Sequence, residues 1–214
     1  SDLKLDIYMH RYAPEITGKT HSNVVLRDGI SYINKNLEVS LSGTDSPKVK
    51  LVELYKDGKV VDEVEDGTFA ISESGEYTVR VVDLVNNAKV YRLEDLFKDI
   101  TSNVVVDKAI PECNITINDK EIDTSKWVTE NGVLKVKVSD SIGLSESVVT
   151  VNGKKFTKIY EGIDKDEDIV IDLKTDVPRV EDGKYKVSVK ITDIAGNTNL
   201  VDTKTLKVDF DKPD

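Results

Sequence analysis

The chain has 214 residues, 33% charged and 38% hydrophobic, with a formal net charge of -10, enough apolar material for one large or two ordinary cores. The acidity argues against nucleic acid as a partner, because binding a phosphate backbone needs Lys and Arg to displace counterions. A single cysteine, Cys113, leaves no intrachain disulfide, and no apolar run approaches the roughly 18 residues of a membrane span.

Residues 3–9, LKLDIYM, alternate as a strand does, and residues 104–108 (VVVDK) and 206–210 (LKVDF) are looser copies. Each is followed by a proline-acid pair: Pro14-Glu15, Pro111-Glu112 and Pro213-Asp214. Self-similarity at about 100 residues is the mark of tandem domains. The expected domains are 1–109 and 110–214, with residues 1–10 alternatively the end strand of a preceding repeat.

In the first domain Leu37–Ser42 and Lys48–Tyr55 alternate, and Asp57-Gly58 separates the second run from Val60–Val64. Asp-Gly between alternating runs is a strong hairpin signal, since both central residues of a type I′ turn need positive φ. Thr68–Ser72 and a strand from Gly75 follow. Arg92–Ile100 breaks the pattern, with Leu93, Leu96, Phe97 and Ile100 at helical spacing. This short insertion is expected to pack against the neighbouring domain rather than to act as a partner-binding knob. In the second domain Cys113–Ile117, Leu134–Asp140 and Val148–Val151 read as strands, and Asn152-Gly153 turns into Lys155–Tyr160. Ile169–Leu173, Gly183–Asp193 and Thr203–Phe210 complete it. Turn signals every ten or so residues predict an all-β protein of two tandem β-sandwiches.

One pattern occurs twice: SGEYTVRVVDLVNN at residues 74–87 and DGKYKVSVKITDIAGN at 182–197. In immunoglobulin-like sandwiches a Tyr near the start of strand F, two residues before the second cysteine position, bonds back to its own corner. Tyr77 precedes Val79 and Tyr185 precedes Val187, and Gly75 and Gly183 suit a tight corner. The tail Thr192-Asp193-Ile194-Ala195-Gly196-Asn197, with Val208-Asp209-Phe210-Asp211-Lys212-Pro213, resembles the bacterial Ig-like tandem repeats of cell-surface proteins and adhesins. The first copy departs from that tail, with Val85-Asn86-Asn87 in place of Ala-Gly-Asn. The resemblance implies an extracellular, non-catalytic stalk or adhesive module, part of a longer bacterial surface protein beside further domains of the same chain. Its partner would be a host or cell-wall protein or glycan. The alternative is an accessory or carbohydrate-binding module of a secreted multidomain enzyme. No catalytic residues come with the resemblance, and no cofactor other than calcium suggests itself.

Two histidines, His10 and His21, are the only ones available to a His-dependent device; with Asp6 or Glu15 they could bind a metal, though solvated loops suit them better. The run Asp164-Lys165-Asp166-Glu167-Asp168 resembles the start of a calcium loop. Ile169 and Thr175 stand where the turn Gly and the bidentate Glu should be, which rules out an EF-hand. Calcium at Asp164, Asp166 and Asp168 would be a looser oxygen site. A second calcium reading uses the junction acids Asp107, Glu112, Asp209 and Asp211, where an ion would stiffen a stalk. Trp127 beside Val128 reads as core, with stacking on a sugar ring as the other reading. Cys113 reads as a small buried hydrophobe. Lys135, Lys137, Asn197 and Asn199 are the candidates for a Lys–Asn cross-link.

Overall fold

In the computed structural model, residues 14–43, 48–202 and 205–211 are described. The strand expected at 3–9, His10, Asp6 and Pro213 lie outside them. The chain divides into two compact units, Ser1–Asp107 and Lys108–Asp214. Each is an Ig-like β-sandwich.

The first unit contains β1 (Ile16–His21), β2 (Val25–Arg27), β3 (Ile30–Ile33), β4 (Leu37–Gly43), β5 (Val49–Lys56), β6 (Lys59–Val64), β7 (Thr68–Ile71), β8 (Gly75–Asp83), β9 (Ala88–Arg92), the single turn of helix α1 (Leu93–Leu96) and β10 (Asn103–Val106). One sheet runs β1-β4-β7; the other runs β2-β3-β10-β8-β5-β6, with β9 also on β8. Alternation makes the core. Leu37, Val39 and Leu41 of β4 face Val52 and Leu54 of β5 and Tyr77, Val79 and Val81 of β8, all buried, while intervening residues such as Glu38 face solvent.

The insertion is one helical turn, and its apolar side chains join the first unit's own core: Leu93, Leu96, Phe97 and Ile100 are all under 9% exposed. The expectation is packing against the neighbouring domain; these four side chains are instead buried in the core of their own unit. A four-residue helix has too few internal hydrogen bonds to persist alone. Here Asp95 accepts from the Arg92 N–H at 2.8 Å and Ser102 Oγ accepts from Leu93 N at 3.0 Å.

The second unit contains β11 (Glu112–Ile117), β12 (Lys120–Glu121), β13 (Trp127–Val128), β14 (Val133–Ser139), β15 (Leu144–Val151), β16 (Lys154–Ile159), β17 (Asp166–Asp172), β18 (Lys184–Tyr185), β19 (Val187–Asp193), β20 (Thr198–Asp202) and β21 (Leu206–Val208). Its sheets run β12-β11-β14-β17, β13-β21-β18 and β16-β15-β19-β20. Val136, Val149, Val151, Val189 and Ile191 form the centre of its core.

Two features recur. An early strand pairs in parallel with the last strand of its unit: β3 with β10 (Ile33↔Val106) and β13 with β21 (Val128↔Val208). Two-residue turns with both φ positive close four hairpins, at Asp28-Gly29, Asp57-Gly58, Asn118-Asp119 and Asn152-Gly153. Their mirror-image turn geometry matches the right-handed twist of the strands they join.

Candidate functional site

The two F-strand tyrosines differ. Tyr77, 3% exposed, donates its hydroxyl to the Glu73 carbonyl at 2.8 Å, and burial pushes its phenol above the ordinary range. Tyr185 is equally buried at 2%, but no hydrogen bond from its hydroxyl is found among the described residues. It lines a hollow of about 150 Å³ beside Trp127, Val180 and Phe210. The glycines differ too. Gly183 has φ +65, and a Cβ there would stand 2.4 Å from the Val208 carbonyl oxygen and 3.0 Å from Trp127 Cζ3. Gly75 has no positive φ, and its nearest obstacles are side-chain atoms of Lys56 and Asp57.

Of the 164–168 cluster only Asp164 and Lys165 lie in a loop. Asp166, Glu167 and Asp168 belong to β17, where neighbours point to opposite faces; Glu167 pairs with Lys158 Nζ at 2.6 Å and Asp166 and Asp168 are exposed. Asp164 is also exposed, and its carbonyl accepts from Leu144 N at 2.7 Å. At the junction Glu112 and Asp209 are exposed, Asp209 accepting from Asp211 N at 2.9 Å and Asp211 pairing with Arg179. Asp107 is buried, its N–H donating to Ile33 O at 2.9 Å.

Within the second unit the fold gathers a pair that the sequence reading did not single out. Asp140 and Asp193, 7% and 0% exposed, hold carboxylate oxygens within 4.8 Å of one another. Both accept from local donors. Asp140 Oδ1 accepts from Ile142 N and Gly143 N, each at 2.8 Å. Asp193 accepts from Asn197 N and Asn197 Nδ2, each at 2.8 Å. Calcium takes six to eight oxygens, so two carboxylates supply only part of a shell. The residues lie 53 positions apart in sequence, and only the tertiary fold joins them.

His21 sits half-buried at the end of β1 rather than in a solvated loop. Its ring meets Phe97 edge-on at 4.8 Å, Nδ1 donates to Ser22 O at 2.6 Å, and Nε2 is 2.9 Å from Asp99 Oδ1. That hydrogen bond holds the Asp99 carboxyl below its usual range. Cys113 is partly buried, which pushes its thiol up to about 11; a group so protonated is a poor nucleophile. Three of the four cross-link candidates have other partners, Lys135 with Asp119 at 2.5 Å, Asn197 with Asp193, and Asn199 Nδ2 with Pro111 O at 2.8 Å, and Lys137 is exposed.

Trp127 is the main correction among the apolar residues. It is 50% exposed, not core. Its strand is two residues long and lies at the edge of the β13-β21-β18 sheet. The indole borders both the Tyr185 hollow and a groove of about 530 Å³ whose lining includes Ile117, Ile122, Val128 and Leu206.

No protein-family model and no curated protein matches the sequence. Among solved structures, the chain is similar to fibronectin(III)-like modules of Clostridium thermocellum CbhA, at 13% identity and a TM-score of 0.44, over 90% of this chain and 94% of that one. It is also similar to the N-terminal four Ig domains of Dscam1 isoform 6.9, at 14% identity and a TM-score of 0.41, over 93% of this chain and 53% of that one. A third similarity is to dimeric latent PorU from Porphyromonas gingivalis, at 16% identity and a TM-score of 0.33, over 96% of this chain and 21% of that one.

Proposed function

We propose that the chain is a non-catalytic, extracellular structural and adhesive module of a bacterial surface protein. It would space or present a binding surface toward a host or cell-wall protein or glycan. The observation that carries this reading is the parallel pairing of an early strand with the last strand, built twice along one chain as β3–β10 and β13–β21. Once the strands that precede β3 or β13 have given way, pulling a unit by its two ends draws such strands past each other. Their hydrogen bonds then share the load in shear instead of opening one at a time, which suits a tether.

Single-molecule stretching of the whole chain tests the spacer. Two separate unfolding events are expected, each releasing about 30 nm of chain, given the 3.3–3.6 Å reach per residue. Extension at baseline force, with no discrete steps, would defeat the tether reading. The surface assignment is tested by antibody labelling of intact source cells. The adhesive half is tested by comparing, on matrix proteins and glycans, cells that carry these residues with cells that lack them.

A further inference from the structure

We propose that the groove beside Trp127 in the second unit binds a neutral oligosaccharide, the indole serving as the platform for one sugar ring. This adds a ligand to the module proposed above without depending on that reading.

Trp127 pairs with Lys207 across β13–β21, and the next turn is pinned by Asp209 N donating to Val128 O at 2.9 Å. Gly183 lies against the ring edge at a point where a Cβ would come within 3.0 Å of Cζ3, so the lack of a side chain there lets the indole seat. The ring is nevertheless 50% exposed and borders concavities of about 530 and 150 Å³. The larger lies within the 300–1,000 Å³ range of small-ligand sites. At the matching register position of the first unit, Tyr32 is 3% exposed, so exposure of this aromatic is not a requirement of the fold.

The lining selects the ligand class. Lys120, Lys126 and Lys207 are balanced by Glu121, Asp123 and Glu130, three charges of each sign. A groove of zero net charge in an acidic chain offers nothing to a phosphate backbone or an anionic lipid. Its apolar floor is too small and too interrupted by charge for the continuous patch expected where a protein docks. An exposed indole beside the carboxylates and ammonium groups of the groove matches a pyranose, which has apolar C–H faces and a rim of hydroxyls. Only Asp123 of the acids spends its carboxylate locally, accepting from Ser125 N and Oγ and pairing with Lys126. Among the described residues no such partner is found for Glu121 or Glu130.

Trp127 is the only tryptophan in the chain, so tryptophan emission, excited selectively over the tyrosines, reports this groove alone. The experiment titrates the whole chain with cellohexaose, xylohexaose, mannohexaose and chitohexaose to about 10 mM, where even weak binding of millimolar Kd saturates. At least one should give a saturable shift of the emission, confirmed by calorimetry. Trp127→Ala should weaken that binding at least tenfold by calorimetry, and Glu121→Ala several-fold with the fluorescent reporter intact and the thermal midpoint unchanged. If Trp127→Ala fails to fold, Trp127→Phe and Glu121→Ala carry the test. No saturable response to any of the four sugars in folded protein overturns the proposal, as does binding indifferent to both substitutions. An emission change that follows protein concentration without sugar assigns the groove to a second copy of the chain and also overturns it.

Discussion

Removing one oxygen from Tyr77 should destabilise the first unit by about 1–2 kcal/mol, because the Glu73 carbonyl loses its donor at a site 3% exposed. The same change at Tyr185 should leave the second unit within about 0.5 kcal/mol, since no hydroxyl partner is found there. Urea titration of the two Phe variants decides the matter, and equal losses would show a corner bond in both units. Cys113 gives a pH test. Burial raises its folded pKa to about 11 from an ordinary 9.0, so the unfolded chain releases the proton first. Its contribution to stability is therefore complete below pH 9 and is lost as pH climbs toward 11. Cys113→Ala should flatten that part of the stability profile. At pH 8 the native thiol should react with a disulfide reagent about a hundredfold more slowly than the urea-unfolded chain, as two pKa units imply.

At the scale of elements, the F-strand exit shows what a residue pattern can hide. The first copy departs from the second in sequence, Leu84-Val85-Asn86-Asn87 against Ile194-Ala195-Gly196-Asn197, yet the turn is the same. Asp83 accepts from Asn87 N at 2.8 Å and Asn87 Nδ2 at 2.9 Å, as Asp193 does from Asn197. Asn86 takes φ 67 where Gly196 takes φ 91, and Asn is among the few side chains that accept that region readily. Asp83→Ala and Asp193→Ala should each destabilise by about 1–3 kcal/mol, by removing a buried carboxylate that satisfies the partly buried donors of its turn; chemical denaturation reads the loss. Alternating strands and Asp-Gly or Asn-Gly turns were legible in the sequence because period and turn chemistry are local. The same rule covers Asp28-Gly29, but the strands beside it, β2 and β3, have three and four residues, too few to show a period. Asn118-Asp119 lacks the glycine that flags such a turn. The exposure of Trp127 and the meeting of Asp140 with Asp193 depend on which layer lies over which strand, and no window of sequence contains that.

For the whole molecule, the cores of the two units share no residue: one centres on Val39, Val52 and Val79, the other on Val136, Val149 and Val189. Damage to one core should therefore be read out in that unit. Gly183→Ala is the sharpest tool. It forces an L side chain to φ +65 and drives a Cβ to 2.4 Å from the Val208 carbonyl, where Val208 N already donates to Gly183 O at 2.8 Å. The backbone must shift, the β18–β21 pairing opens, and a loss of about 2–4 kcal/mol is expected. For units of this size that lowers the midpoint by about 10–20 °C. Calorimetry of the full chain should then show half of the unfolding enthalpy moved to lower temperature and half in place. Gly75→Ala, whose Cβ meets side-chain and not backbone atoms, Lys56 Cε and Cγ and Asp57 Oδ2 at 2.8–3.2 Å, should shift the other half by less. If either variant moves the whole endotherm together, the units unfold as one body, and the spacer would yield under load in one step instead of two.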